Sequence, residues 1–251
     1  MTKIYIISLL DSNRRIIIKD RLNKLGIDGF MFIDAFDARE MDENILRKHF
    51  DYERFFLKYN RYPANGEVGC TLSHIKAYQM AKKSSVNKYI VLEDDAILDD
   101  SFVDLLNNND IKTNGCLLLG KSKYSKRRML YRFLVDRFFI KKVSIKERIK
   151  INKNYLIYNN EFKDSCGTVG YMVNGADSFY NIKLFETELP YFLADDWELL
   201  NKYIGIYYFY PFLVFEDYNN QKSSIHDDRE LLSTDNIFIK VKKRIGKILF
   251  G

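Results

Sequence analysis

The chain of 251 residues has few residues that interrupt or cross-link a fold, with 3 prolines, 12 glycines and 3 cysteines. That scarcity excludes collagen-like and low-complexity chains. Cys70, Cys116 and Cys166 stand far apart, odd in number and without a CxxC pair. They make a poor disulfide framework and a poor zinc site. No unbroken apolar run approaches the ~20 residues of a membrane-spanning helix. The common phosphate-binding loops, Gly-x-x-x-x-Gly-Lys-Ser/Thr and Gly-x-Gly-x-x-Gly, are also missing. Met1–Ser8 reads as a strand that begins at once, not as an apolar leader with a small-residue cleavage site. The expectation is a cytoplasmic protein.

What the chain does have is apolar content of 47%, ample for one large core at this length. Its net charge of +6 is unevenly spread. Residues 121–153 hold thirteen Lys or Arg against Asp136 and Glu147, or +11, and residues 237–251 carry +5. Subtracting both from +6 leaves −10 for the remainder, an acidic body unlike a nucleic-acid binder. Both basic segments are interleaved with large apolar side chains. In the tail, Val241, Ile245, Ile248 and Leu249 fall on one helical face, with Lys240, Lys243 and Lys247 elsewhere. Such a helix suits an anionic membrane surface, each cation near it contributing about 1 kcal/mol. The plain alternative is a terminal helix packed on the core with a solvated basic face.

No internal repeat or linker appears, so residues 1–236 read as one domain with an insertion at 121–153, followed by the tail. Short apolar runs at Ile4–Leu9, Phe30–Ile33, Tyr89–Leu92, Cys116–Leu119, Thr168–Val173 and Ile206–Tyr210 read as strands. The first, third and fourth lack strict alternation, as parallel strands covered on both faces do. Helices are expected at Arg14–Leu25, with Ser12 or Asn13 as cap and Gly26 past its end, at Ser73–Lys83, and at Asp177–Phe185. The alternation implies an α/β fold with a mostly parallel sheet, whose ligands sit beyond the carboxyl ends of the strands.

At one such end, Lys88-Tyr89-Ile90-Val91-Leu92 runs into Glu93-Asp94-Asp95. Three successive carboxylates repel and are costly to desolvate without a cation. Alternation turns Glu93 and Asp95 the same way, a pair suited to Mg²⁺ or Mn²⁺ with positions left for phosphate oxygens. An acidic turn capping the next helix is the alternative. Some twenty residues earlier stands Gly66-Glu67-Val68-Gly69-Cys70-Thr71-Leu72-Ser73-His74. In combination, these two segments resemble glycosyltransferase family 25, the bacterial lipooligosaccharide sugar transferases. Ile4–Leu9 with Arg14-Arg15, Gly167-Thr168-Val169-Gly170-Tyr171, Asp195-Asp196-Trp197, Pro211 and Ser223-Ser224-Ile225 extend the likeness over most of the chain. Residues 121–153 match nothing in the family core.

The resemblance implies a GT-A-like, Rossmann-type fold, a nucleotide-sugar donor and inversion at the anomeric carbon. UDP-galactose is the usual donor, with glucose a known alternative, and the acceptor is a lipooligosaccharide met at the inner face of the membrane. Asp95 becomes the candidate for direct Mn²⁺ or Mg²⁺ coordination, and Glu93 for a water-mediated or ribose contact beside Asp94. His226 is a candidate late-chain ligand. Arg14 and Arg15 are candidates for donor phosphates, or are ordinary helix residues. Glu67 and His74 are candidate acceptor contacts, or structural. An inverting transfer needs a base, and Asp195-Asp196 is the natural place for it, Asp196 slightly preferred; Asp195 is also a possible helix cap. Trp197, the one tryptophan, could stack on a sugar face. Rival readings are another metal-dependent nucleotidyl or phosphoryl transferase, and a non-catalytic module binding membrane or nucleic acid. The second leaves both acidic clusters without a purpose.

Overall fold

The computed structural model describes residues 2–121, 143–150, 154–160, 167–175 and 188–217. Strands β1 (Lys3–Ser8), β2 (Phe30–Asp34) and β3 (Lys88–Glu93) lie parallel, with β1 in the middle. A ribbon strand, β4 (Ala96–Leu98), follows directly, and β5 (Gly115–Leu118) returns to the main sheet. The other edge is built from β6 (Val143–Lys150) and β7 (Asn154–Asn160). Then come β8 (Gly170–Asn174), β9 (Ile206–Tyr210) and β10 (Val214–Glu216), the last pairing with β4. The eight-stranded order is β2-β1-β3-β8-β5-β9-β7-β6.

Every strand anticipated from an apolar run is present. The sheet is mixed, however. Six of its strands point one way, but β8 and β7 are reversed, so only three of the seven adjacent pairings are parallel. The apolar run at Thr168–Val173 is as continuous as its neighbours because β8 is central and covered on both faces, whatever its direction.

Helix α1 (Arg14–Lys24) and, further on, α5 (Phe102–Asn107) cover one face. Ile18, Leu22, Phe102 and Leu105 bury there against Ile4, Ile6, Ile90 and Leu92. Truncating Leu22 to Ala in such a core costs about 2–5 kcal/mol. Gly26, with φ +70°, ends α1 in the left-handed conformation that closes many helices. The short α2 (Glu43–Leu46) and α3 (Tyr52–Tyr59) form a satellite cluster around Phe50, Phe55 and Val68. On the opposite face, α4 (Asn65–Lys83) packs Ala77, Tyr78 and Ala81 on Tyr5, Tyr89, Val91 and Tyr171. The short α6 (Trp197–Leu200) adds Trp197 to the same cluster.

Two expectations need adjustment. Helix α4 begins at Asn65, eight residues before Ser73, because the Glu67 carboxylate accepts the Ala64 N–H (2.9 Å) and caps the first turn. Residues 143–150, counted with the basic insertion, form the edge strand β6. Its exposed Lys146, Arg148 and Lys150 discourage pairing with another chain. The rest of the insertion between 122 and 142, the helix expected at Asp177–Phe185, His226 and the tail at 237–251 lie outside the described residues. Among the described residues no helix is long and apolar enough to cross a membrane.

Candidate active site

The carboxyl ends of β2, β1 and β3 open into a cleft of about 330 Å³. This is where an open α/β sheet binds its ligands. One wall is the turn into α1, with Ser12 and Arg14; another is the loop after β2, with Phe36 to Arg39; the third is the first half of α4, with Gly69, Cys70, Ser73 and His74. Glu93, Asp94 and Asp95 form the floor.

Alternation along β3 puts Glu93 on the α4 face with Tyr89 and Val91. Its carboxylate accepts a short hydrogen bond from the Thr168 hydroxyl, and His74 Nε2 lies 3.4 Å from Oε1. Burial opposes ionisation of Glu93, but His74, Thr168 and Arg14 outweigh it and hold the carboxyl below its usual range. His74 Nδ1 is 2.7 Å from the Tyr171 hydroxyl, which donates to the Tyr78 hydroxyl (3.0 Å). Cys70, one helical turn before His74, completes a group whose possible ligand atoms lie within 4.8 Å of one another. Burial, with the charges of Glu93 and Asp195, pushes its thiol well above the ordinary value.

Asp94 turns the other way and accepts from Ser8 Oγ (2.6 Å) and Ser12 Oγ (3.0 Å). One Arg14 nitrogen stands 3.5 Å from Asp94 and 3.8 Å from Asp95. Asp95 is the anomaly: its Oδ1 is buried with no hydrogen-bond partner. Burial first, then the charges of Glu93 and Glu216, push its carboxyl up to about 8. The buried oxygen donors here suit a hard divalent cation, which would give Oδ1 a partner and add to the positive charge of Arg14. The turn itself is braced, since Arg21 donates to Ala96 O (2.9 Å) and pairs with Asp217, whose N–H donates to Asp95 O (3.1 Å).

The profile of glycosyltransferase family 25 (LPS biosynthesis protein) matches residues 1–191, which include the whole cleft. The chain belongs to glycosyltransferase family 25. It is a glycosyltransferase of lipopolysaccharide biosynthesis, taking a sugar donor and an LPS acceptor. No curated protein matches it. Among solved structures, 4-diphosphocytidyl-2C-methyl-D-erythritol synthase from Anaerococcus prevotii aligns at 13% identity over 92% of this chain and 96% of that one, TM-score 0.37. A197 from STIV aligns at 14% over 83% and 81%, TM-score 0.36. HddC from Yersinia pseudotuberculosis aligns at 14% over 86% and 89%, TM-score 0.34.

In this family 25 glycosyltransferase the residues singled out from the sequence divide by location. Arg14, His74, Glu93, Asp94 and Asp95 line the cleft. Arg15 turns away to bind Leu9 O and Ser8 O (2.9 Å each), bracing the end of β1 over Phe32. Glu67 is buried in a two-pronged pair with Arg61 (2.7 Å each) besides its capping bond. Trp197 is 2% exposed in the core, its Nε1 donating to Gly167 O (3.2 Å). Asp195 accepts the Gly167 N–H (2.8 Å). Asp196 caps α6 through Leu199 N–H (3.0 Å), accepts a short bond from the Tyr59 hydroxyl and pairs with Lys58 (3.2 Å).

Sequence reasoning assigned no role to Thr168, Glu216 or Arg39. Arg39 stands at the cleft rim between Asp37 and Asp11, and its hydrogen bond holds the Asp37 carboxyl below the usual range. No spacing announces it. Thr168 and Glu216 reach the acidic turn only through strand pairing.

Proposed function

We propose that this glycosyltransferase moves a hexose, galactose in preference to glucose, from a UDP-sugar to a lipooligosaccharide acceptor with inversion. Asp95 and Glu93 would hold Mn²⁺ or Mg²⁺, which when bound stabilises charge developing on the departing diphosphate. Arg14, beside Asp94 and Asp95 on the same floor, would pair with donor phosphate oxygens. Between the two candidate bases, the surroundings favour Asp195. It shares the Gly167-Thr168 corner with Glu93 and its charge is felt at Cys70 in the cleft, whereas Asp196 is committed to α6, Tyr59 and Lys58. Asp195 would take the acceptor hydroxyl proton as the new bond forms. Trp197, buried beneath that corner, would supply packing rather than a stacking face for the sugar.

The single observation that carries this reading is the buried, unpartnered Oδ1 of Asp95 on the floor of a strand-end cleft. The test is purified protein against a panel of nucleotide sugars with and without Mn²⁺, following nucleotide release. UDP-galactose turnover that requires the metal is expected. Full activity after chelation, or release from no UDP-sugar, overturns it. The basic segments suit docking at the anionic inner membrane surface, where a cytoplasmic enzyme meets a lipid-linked acceptor. Co-sedimentation with anionic but not neutral liposomes is expected, and its loss on truncation at Asp235 assigns the tail.

A further inference from the structure

Beside the hard-cation site, and sharing its Glu93 carboxylate, the geometry points to a second metal site, for Zn²⁺ or a similar thiophilic ion, formed by Cys70, His74 and Glu93. Cys70 and His74 are four residues apart on α4, so their side chains rise from one helical face towards the end of β3. Glu93 meets them from the sheet. Sulfur, imidazole nitrogen and carboxylate oxygen together are a zinc-type donor set, unlike the all-oxygen surroundings that Mn²⁺ or Mg²⁺ prefers. The helical spacing replaces the CxxC pair that the sequence lacks.

The decisive feature is His74, which is 1% exposed. Tyr171 gives its hydroxyl proton to Tyr78, so it accepts from His74 Nδ1–H. In a neutral ring that arrangement would put the proton on Nδ1 and turn the Nε2 lone pair towards Glu93. Nε2 makes no hydrogen bond, and it lies 3.4 Å from a carboxylate oxygen that would repel a bare lone pair. Either a proton or a metal must occupy that gap. Orienting a ligand histidine through its other nitrogen is the usual outer-shell arrangement of metal sites. The present spread of up to 4.8 Å must tighten to about 3.5 Å between ligand atoms around zinc. Cys70, His74 and Glu93 all line the cleft, so an ion can enter from it.

The test uses full-length protein stripped with a chelator, kept reduced with a phosphine and titrated with Co²⁺ alone. Binding at the site gives a thiolate-to-cobalt charge-transfer band that saturates at one equivalent and is erased by equimolar Zn²⁺ but not by Mn²⁺. Cys70→Ser should abolish the band while circular dichroism stays native. Tyr171→Phe, which removes only the orienting hydroxyl, should weaken Co²⁺ binding about 10- to 100-fold. Absence of a thiolate band in the wild type overturns the inference and leaves a protonated His74 paired with Glu93. A band that survives Cys70→Ser overturns it too, since another cysteine would be the ligand. These readouts need no sugar donor, so they stand or fall apart from the proposed transfer reaction.

Discussion

Replacing Glu67 with Gln separates a structural role from an acceptor-binding one. Its carboxylate is 2% exposed and takes two guanidinium bonds from Arg61, with a third from the Ala64 N–H. Breaking a buried ion pair by removing one partner costs about 3–5 kcal/mol. Here Arg61 is 42% exposed and rehydrates when released, and Gln keeps an acceptor for Ala64. A loss of about 2 kcal/mol remains, within the range for hydrogen bonds to charged groups. For a chain of this size that lowers the thermal midpoint by roughly 4–8 °C. Calorimetry or circular dichroism at neutral pH measures the shift, and a cycle with Arg61→Ala should return a coupling of about 1–2 kcal/mol. A midpoint within about 1 °C of wild type refutes the capping account.

Three other perturbations follow. The Asp95 carboxyl, pushed up from 3.8 to about 8, holds its proton more tightly folded than unfolded, so its ionisation destabilises the metal-free fold as pH rises between those values. Asp95→Asn should therefore raise the urea midpoint of chelated protein, more at pH 8 than at pH 5, while abolishing metal-supported transfer; a pH-independent difference refutes this. At Glu147, burial is outweighed by bonds from Lys112 N–H, Thr113 N–H and the Thr113 hydroxyl, and the carboxyl lies below its ordinary 4.5. That contribution is complete above 4.5 and lost as pH falls through the folded value, so Glu147→Gln should destabilise at pH 7 and progressively less as the pH falls below 4.5. Asp195→Asn should lower turnover about 10²–10⁴-fold with the fold intact, whereas Asp196→Asn, still able to cap, should chiefly cost stability of about 1 kcal/mol. The reverse pattern in kinetics and melting makes Asp196 the base.

The central strands were legible because both sheet faces are covered, which leaves β1, β3, β5 and β8 as nearly pure apolar runs. Strand direction was not legible, since β8 carries the same kind of run while pointing the other way. β4 and β10 are three residues each, too short to impose a period, and β6 hides its pairing among basic residues. The first two turns of α4 were missed because glycines at 66 and 69 lower helix propensity, and the cap that offsets them is visible only once Glu67 folds back. At the site, charge announces itself: Glu93-Asp94-Asp95 after an apolar strand can be read directly. Thr168, Glu216 and Arg39 are ordinary residues in sequence, the first two brought to the acidic turn by pairings more than fifty residues apart and Arg39 to the cleft rim by a surface loop.

One contact has a consequence for anyone redesigning this enzyme. Helix α4 rides so near the loop after β2 that a Cβ on Gly69 would stand 2.8 Å from Phe36 O, and Ser73 Oγ takes the Phe36 N–H (2.8 Å). The rim that presents Arg39 and the wall that presents Cys70 and His74 are thus one splinted unit. Grafting a relative's 36–39 loop without also transplanting residues 66–73 would pry the two apart and blunt the acidic floor between them.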